Sequence, residues 1–194
     1  MIPLLLATRN AHKTREFAQI LGSEFVLSDL TSQPEIPAIE ETGQTFEENA
    51  ALKAVTISKV KSGLVAADDS GLEVDVLGGA PGIFSARYSG GSASDQENIG
   101  KLLRELGDEE HRCARFRCAI VLARDGKALD AFAGELEGAI SRQPRGKNGF
   151  GYDPVFIPAG YDRTFAELGE ETKNRISHRA RAIAQLRDYL NDSL

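Results

Sequence analysis

The chain has 194 residues, a formal net charge of −6, 41% hydrophobic residues and 27% charged residues. This length and balance are typical of a globular protein with one domain or two closely associated lobes. The acidic total argues against general nucleic-acid binding and against a membrane-surface protein, because either function needs a basic face. The apolar runs are all shorter than the roughly 20 residues of a membrane-spanning helix.

The cysteines and the N-terminal segment indicate the compartment. Cys113 and Cys118 have no His or Cys cluster beside them in the sequence. We therefore expect core thiols in a reducing environment and no metal bound through them. Residues 1–10 lack a basic segment and a cleavage pattern, and they are typical of a first strand and not of a signal peptide. The expected location is the cytoplasm.

The first half of the chain predicts strands that alternate with helices. Asn10 and Gly22 have the chemistry of a helix N-cap and a helix stop, and Thr45-Phe46-Glu47-Glu48 has the pattern of a capping box. In chain order we expect a strand over residues 2–7, a helix over 11–21, a strand over 25–30, a polar loop over 31–44, a helix from Thr45 to about Gly63, and strands over 64–68 and 72–76.

The second half predicts a further helix and a β-hairpin. Ser94-Asp95-Gln96-Glu97 is a second capping box, and Asp125-Gly126 is a typical hairpin turn. The expected elements are a helix from Ser94 to Gly107, strands over 113–123, 127–137 and 154–157, and a final helix capped by Ser177. A parity slip after Arg117 indicates a bulge or a strand that is buried on both faces. The elements favour an α/β fold with a mixed β-sheet flanked by helices, in one domain over residues 1–194.

The adjacent carboxylates of Asp68 and Asp69 are the most informative feature of the sequence. They follow the apolar run 64–67 and precede a glycine-bounded segment. Like charges repel and half-buried carboxylates lose hydration, so folding alone does not favour such a pair. A catalytic role does favour adjacent carboxylates, because one of them can hold a divalent cation while its neighbour polarises a water molecule. The alternative is a solvated turn.

Three segments have the composition of anion-binding or ring-binding loops. Residues 8–13 lie where a strand gives way to a helix, so free N–H groups and the positive end of the helix dipole meet there; the alternative is a plain N-cap with a surface lysine. Residues 146–154 combine three glycines with two aromatic rings and an acid, which suits a planar ligand; the alternative is a flexible loop. Residues 173–179 gather basic side chains at an expected helix start, where the dipole disfavours cations. A bound polyanion would explain this third segment, and a solvated basic edge is its alternative.

Six short motifs occur in a fixed order along nearly the whole chain, within residues 4–190. They are Thr8-x-Asn10-x-x-Lys13, Glu40-Glu41-Thr42-Gly43-x-Thr45-Phe46-x-x-Asn49-Ala50, Ala67-Asp68-Asp69-Ser70-Gly71-Leu72, Gly79-Ala80-Pro81-Gly82-Ile83-x-Ser85-Ala86-Arg87-Tyr88, Gly149-Phe150-Gly151-Tyr152-Asp153-Pro154 and Lys173-x-x-x-Ser177-His178-Arg179. With them the chain resembles the noncanonical purine nucleoside triphosphate pyrophosphatases, the inosine/xanthosine triphosphate house-cleaning family. Arg9 and Arg175 depart from the pattern. Many relatives carry glycine in place of Arg9, which adds a charge beside the expected triphosphate.

The resemblance implies a reaction, a fold and a cofactor. The family hydrolyses a nucleoside triphosphate to the monophosphate and pyrophosphate with Mg²⁺, in an elongated α/β fold with a substrate cleft between two lobes, usually as a homodimer. Carried over, Asp69 is the general base and a metal ligand, with Asp68 close by. A glutamate of the 40–41 pair completes the acidic metal cage; Glu41 is favoured, although the sequence does not separate it from Glu40.

The resemblance also implies the substrate contacts. The expected substrate-binding residues are Thr8, Arg9, Asn10, Ala11, His12, Lys13, Ser70, Phe150, Gly151, Tyr152, Asp153, Lys173, His178 and Arg179. Donors from His178 and Arg179 would favour a 6-oxo purine over adenine, because a buried donor that faces another donor costs roughly 1–3 kcal/mol. One rival is a broader nucleotide pyrophosphatase that acts on modified pyrimidines or ordinary deoxynucleotides. Another is a nucleotide-binding domain without hydrolysis, which the acid set argues against.

Overall fold

Six strands and six α-helices occur among residues 1–193, the part of the chain that the computed structural model describes. The strands are β1 (Ile2–Leu6), β2 (Phe25–Asp29), β3 (Leu64–Val74), β4 (Cys113–Arg124), β5 (Lys127–Ile140) and β6 (Phe156–Pro158). The helices are α1 (Ala11–Leu21), α2 (Phe46–Ser58), α3 (Asp95–Leu106), α4 (Phe165–Leu168), α5 (Glu170–Ile176) and α6 (His178–Ser193). No helix of this described part is both long enough and apolar enough to cross a membrane.

The strands form one mixed sheet in the order β2-β1-β3-β4-β5-β6. β1 is parallel to both β2 and β3, and a parallel neighbour requires a crossover connection, here helices α1 and α2. β5 and β6 are antiparallel. The predicted α/β fold with a mixed sheet and flanking helices is confirmed.

The chain divides into two compact units. Unit 1 contains residues Met1–Asp69, Cys118–Gly134 and the segment from Arg179 onward, and unit 2 contains Ser70–Arg117 and Glu135–His178. Each unit has its own apolar core. In unit 1 the core includes Leu4, Leu6, Phe17, Ile120, Ile183 and Leu186; in unit 2 it includes Leu72, Ile99, Leu102, Phe116, Phe156 and Phe165.

Local signals in the sequence predicted most boundaries. The Asn10 side chain accepts hydrogen bonds from the backbone of the first turn of α1, and α1 ends at Leu21 with Gly22 as its C-cap. Ser94 and Glu97 form a complete capping box at the start of α3. Asp125 and Gly126 adopt φ values of 53° and 76°, which is the left-handed geometry of a tight hairpin turn.

Several elements differ from the prediction, including β5, which extends to Ile140 and not to 137, and β6, which begins at Phe156 and not at 154. α2 ends at Ser58 and not near Gly63. β3 is one continuous strand, so Asp68 and Asp69 lie inside it and not in a turn between two short strands. In β4 the consecutive residues from Cys118 to Ala123 are buried, which agrees with the predicted alternative of a strand covered on both faces.

The third basic segment also differs from the prediction. Lys173 and Arg175 lie in the last turn of α5, whereas His178 and Arg179 begin the next helix, α6. The C-terminal end of a helix dipole favours cations. The position of Lys173 and Arg175 therefore needs no bound polyanion to explain it.

Candidate active site

The connection between β1 and α1 is built as a capped helix start. The hydroxyl of Thr8 accepts from the Asn10 backbone N–H at 3.1 Å, and the Asn10 carboxamide oxygen accepts from the backbone N–H of His12 at 2.9 Å and of Lys13 at 3.4 Å. Ala7 N–H also bonds the carbonyl of Ala66 at 2.8 Å, which places the end of β1 beside β3. Parallel strands end at the same sheet edge, and helix starts at that edge are common anion sites.

The Asp68 cluster, defined as Lys13, Glu16, Asp68, Cys118 and Arg179, is a buried group of alternating charges in unit 1. Arg179 Nε donates to Asp68 Oδ2 at 2.9 Å, and another guanidinium nitrogen of Arg179 donates to Glu16 at 2.6 Å. The Cys118 thiol donates to the same Asp68 oxygen at 3.0 Å. The ammonium group of Lys13 pairs with the other oxygen, Oδ1. Both oxygens of Asp68 therefore have cationic partners.

The charges of this cluster determine how Asp68 titrates. Burial opposes its ionisation, but the positive charges of Arg179 and Lys13 outweigh burial and hold the pKa of Asp68 well below its usual range. Burial likewise raises the pKa of the Cys118 thiol. Cys118 is thus a neutral hydrogen-bond donor, and Asp68 is a permanently charged acceptor.

The Asp69 cluster, defined as Glu41, Lys53 and Asp69, has the opposite character. The ammonium group of Lys53 lies 2.7 Å from Glu41 Oε1, 2.9 Å from the Asp68 carbonyl oxygen and 3.4 Å from Asp69 Oδ1. The second oxygen of Asp69, Oδ2, is buried and has no hydrogen-bond partner among residues 1–193. Burial raises the pKa of Asp69, and the nearby charge of Lys53 only partly offsets this effect.

The two aspartates differ because they are consecutive residues of one strand. Side chains alternate between the two faces of a sheet. Asp68 has partners from α1, β4 and α6, whereas Asp69 has its partner from α2. β3 therefore does not place these two carboxylates side by side as ligands of one metal site.

Oxygen ligands of the Asp69 cluster suit a hard cation. Mg²⁺ is usually bound by one or two carboxylates together with phosphate oxygens and water, and Glu41 and Asp69 supply two carboxylates to this one cluster. Within residues 1–193 no group of three or more His, Cys, Asp and Glu side chains is arranged to hold a metal by itself. Glu40, the alternative ligand, is exposed. The donor set accordingly fits a cation that is bound together with substrate phosphates.

The Lys173 cluster, defined as Phe150, Asp153, Phe165 and Lys173, lies in unit 2. Lys173 pairs with Asp153 Oδ2 at 2.6 Å, and the ammonium group lies 4.3 Å from the centre of the Phe150 ring. Asp153 Oδ2 also accepts from the Phe150 backbone N–H at 2.9 Å. Gly149 has φ +78°, and a Cβ there would overlap the Asp153 carboxylate. Glycine at 149 therefore lets the loop close over the Asp153 carboxylate.

Other predicted binding residues of unit 2 make contacts outside the Lys173 cluster. The Tyr152 hydroxyl donates to the Ser85 carbonyl at 2.9 Å, and Gly151 N–H donates to Asp95 at 2.6 Å. The imidazole of His178 is buried and stacks on Phe116 with ring centres 4.7 Å apart. Ser70 is half-buried in β3.

The remaining predicted residues lie on unit 1. Ala11 and His12 are exposed in the first turn of α1. The guanidinium group of Arg9 donates to the backbone carbonyls of Gln33 and Ile36, so this departure from the motif contacts the loop after β2. The guanidinium of Arg179 is 2% exposed and contacts carboxylates; its role in base selection stays a prediction.

Sequence reasoning did not single out Lys53 or Glu16, and it predicted both cysteines as core thiols; Cys118 is buried, but Cys113 is exposed. A signal existed for Lys53, which is spaced four residues from the buried Asn49 and Ile57 and so falls in the buried stripe of α2. A cation in such a stripe requires a buried anion.

Comparison with known proteins extends the resemblance. A model of the Ham1 family matches residues 4–189. The chain is 48% identical over 196 residues to the dITP/XTP pyrophosphatase of Bacillus licheniformis, and the match covers 100% of both chains. It is also 48% identical over 187 residues to that of Streptococcus thermophilus, covering 94% of this chain and 58% of the longer relative. A HAM1 protein from Coxiella burnetii superposes with a TM-score of 0.89 at 43% identity, covering 100% of each chain.

Proposed function

The chain belongs to the Ham1 family, and we propose that it hydrolyses noncanonical purine nucleoside triphosphates, namely dITP, ITP and XTP. The products are the nucleoside monophosphate and pyrophosphate, and the reaction removes these nucleotides before they enter DNA or RNA. Two relatives matched over almost all of this chain are named dITP/XTP pyrophosphatases.

The observation that carries the proposal is the buried, unpartnered Oδ2 of Asp69 beside the ammonium group of Lys53. A carboxylate whose pKa is raised by burial is suited to accept a proton from water. The other oxygen of Asp69 is oriented by Lys53, which leaves Oδ2 to act as the base. The water attacks the α-phosphorus, the bond from the α-phosphorus to the bridging oxygen breaks, and pyrophosphate leaves as Asp69 takes the proton.

The phosphates have matching positive groups in unit 1. The start of α1 follows β1 directly, and its dipole favours a negative ligand. Lys13 adds a full charge in that first turn, and Thr8 and Asn10 hold the turn in shape. Preorganised positive groups that stabilise the charge of a leaving group are usually a large part of phosphoryl-transfer catalysis.

We assign Mg²⁺ to the carboxylates of Glu41 and Asp69, with substrate phosphates completing the site. When bound, it would neutralise charge on the phosphate oxygens and favour departure of pyrophosphate. Lys53 joins the two carboxylates in the protein alone. It thereby holds both ligands in place before substrate binds.

The Lys173 cluster of unit 2 is assigned to the nucleotide. The Phe150 ring offers a stacking surface for a purine, worth about 1–3 kcal/mol. The backbone of Phe150 is fixed by Asp153, so this surface is ordered in advance. Discrimination requires hydrogen bonds, for which His178, Asp153 and Arg179 remain the predicted side chains. A homodimer and a cytoplasmic location belong to the proposal through the resemblance.

The first experiment measures pyrophosphate release from ITP, XTP, dITP, GTP, ATP and dUTP, with Mg²⁺ and with a chelator. Metal-dependent turnover of the inosine and xanthosine nucleotides far above ATP and GTP is the expected result. Equal turnover of pyrimidine nucleotides would retain the chemistry and overturn the base assignment. Absence of turnover with every substrate would favour a binding domain.

A further inference from the structure

We propose that Glu16 is a positioning residue of this reaction: through Arg179 and Asp68 it fixes the ammonium group of Lys13 at the start of α1. The inference rests on the proposed function, because it concerns how Lys13 is oriented toward phosphate. Glu16 belongs to none of the six sequence motifs.

The geometry is a chain of alternating charges in unit 1. Glu16 contacts Arg179 at 2.6 Å, Arg179 contacts Asp68 at 2.9 Å, and the far oxygen of Asp68 pairs with Lys13. Glu16 and Arg179 are 8% and 2% exposed. Buried charges are stable only when they are paired in good geometry, so each member constrains the next.

Helix α1 carries both ends of this chain of charges. Lys13 and Glu16 are three residues apart on α1 and lie on neighbouring positions of one helix face. Asp68 of β3 and Arg179 of α6 connect them through the sheet and the last helix. The orientation of Lys13 therefore depends on the Glu16 carboxylate, which acts on Lys13 through Arg179 and Asp68.

Neutralising Glu16 changes how strongly Asp68 interacts with each of its two cationic partners, Arg179 and Lys13. The guanidinium of Arg179 would lose the charge of one carboxylate partner and draw more strongly on Asp68. Less negative potential would remain at the oxygen that holds Lys13, and the ammonium group would be less well fixed. Loss of such preorganisation lowers catalytic efficiency even when the contacting residue itself is unchanged.

A double-mutant cycle tests the proposal. Glu16→Gln, which keeps shape but removes charge, is combined with Lys13→Ala, and kcat/KM for dITP is measured for all four proteins. We expect Glu16→Gln alone to lower kcat/KM about 10- to 30-fold and to have less than about a threefold effect when Lys13 is already alanine, because coupled residues are not additive. The same factor in both backgrounds would overturn the proposal, since a structural role is independent of Lys13.

A binding readout separates this inference from the proposed function. Pyrophosphate affinity is measured by calorimetry on the same four proteins, and the expected pattern of coupling is the same. If the wild type binds pyrophosphate but does not hydrolyse dITP, the proposed function fails while the cycle in pyrophosphate affinity still decides the role of Glu16. Additive losses of affinity would reject that role.

Two further variants test whether Glu16→Gln acts only by disturbing the fold. Glu24→Gln removes the same charge from an exposed position before β2 and is expected to change kcat/KM less than twofold. Glu16→Asp keeps the charge on a shorter side chain and is expected to recover at least part of the loss. If Glu16→Gln does not fold, Glu16→Asp replaces it in the cycle, and additivity with Lys13→Ala would again reject the coupling.

Discussion

The two units bury their charged side chains in different ways. In unit 1, Asp68 is surrounded by Lys13 and Arg179, whereas Asp69 shares Lys53 with Glu41 and keeps one oxygen unpartnered within residues 1–193. In unit 2, Lys173 and Asp153 pair directly, and aromatic rings lie beside the ammonium group. An unpartnered carboxylate oxygen suits proton transfer, whereas a paired lysine beside a ring suits recognition. These two arrangements are the reason why we propose the reaction for unit 1 and recognition of the nucleotide for unit 2.

The same contrast occurs inside unit 1 between two consecutive residues. The pKa of Asp68 is lowered by its cations, and the pKa of Asp69 is raised by burial. Two adjacent aspartates that the sequence does not distinguish thus have pKa values shifted in opposite directions. A single substitution at each position can separate stability from chemistry.

The largest expected effect is on turnover. Asp69→Asn removes the proposed base and is expected to lower kcat for dITP by about 10²–10⁴-fold, the usual contribution of a general base. Pyrophosphate release gives the rate, and circular dichroism verifies the fold. Unchanged hydrolysis by a folded Asp69→Asn protein would reject Asp69 as the base and remove the assignment of chemistry to unit 1.

The neighbouring substitution tests stability. Asp68→Asn leaves Arg179 and Lys13 without their shared carboxylate, and breaking a buried pair in this way costs about 3–5 kcal/mol. Urea unfolding measures the loss, and Asp69→Asn is the matched control because it removes the adjacent carboxylate. Equal free energies of unfolding for the two variants would contradict the distinction between these aspartates.

A similar loss is expected from unit 2. Lys173→Met leaves the Asp153 carboxylate buried beside an apolar side chain, again at a cost of about 3–5 kcal/mol. Adding Asp153→Asn removes the stranded charge, so the double variant is expected to be more stable than Lys173→Met alone. Denaturant midpoints check this order; a double variant that is less stable would mean that Asp153 is not stabilised by Lys173.

The pH dependence is a smaller, directional effect. The proposed base must be ionised, and burial raises the pKa of Asp69 above its ordinary value. We expect kcat/KM to fall about tenfold per pH unit below that raised pKa. A carboxylate with a raised pKa contributes stability at low pH that is lost as pH rises through the raised pKa. Asp69→Asn is therefore expected to gain stability relative to the wild type as pH rises, and thermal scans from pH 4 to 8 check the sign.

The smallest expected effect comes from a substitution outside both proposed sites, and it serves as a reference for the larger effects. Ser94→Ala removes the N-cap of α3 in unit 2, at a cost of about 1 kcal/mol. For a chain of this size the melting temperature is expected to fall by about 2–4 °C, with kcat for dITP within twofold of the wild type. A tenfold loss of turnover would show that the start of α3 takes part in the reaction.

Elements whose boundaries depend on neighbouring residues were predictable. Asn10 and Gly22 limit α1, Ser94 begins α3, and Asp125 begins a tight turn, because caps and turns satisfy backbone groups within a few residues. The errors have tertiary causes. β3 continues through Asp68 and Asp69 because their charges find partners on other elements, which sequence alone does not reveal.

The sequence by itself determined the fold class, the main caps and turns, and the order of motifs that mark the Ham1 family. Only the tertiary structure decided which groups each aspartate contacts. Alternation along β3 directs Asp68 and Asp69 to opposite faces, and their partners come from distant positions, Lys53 for Asp69 and Arg179 for Asp68. Since the charge state of a buried carboxylate depends on the groups brought to it by folding, two identical neighbours acquired different chemistry.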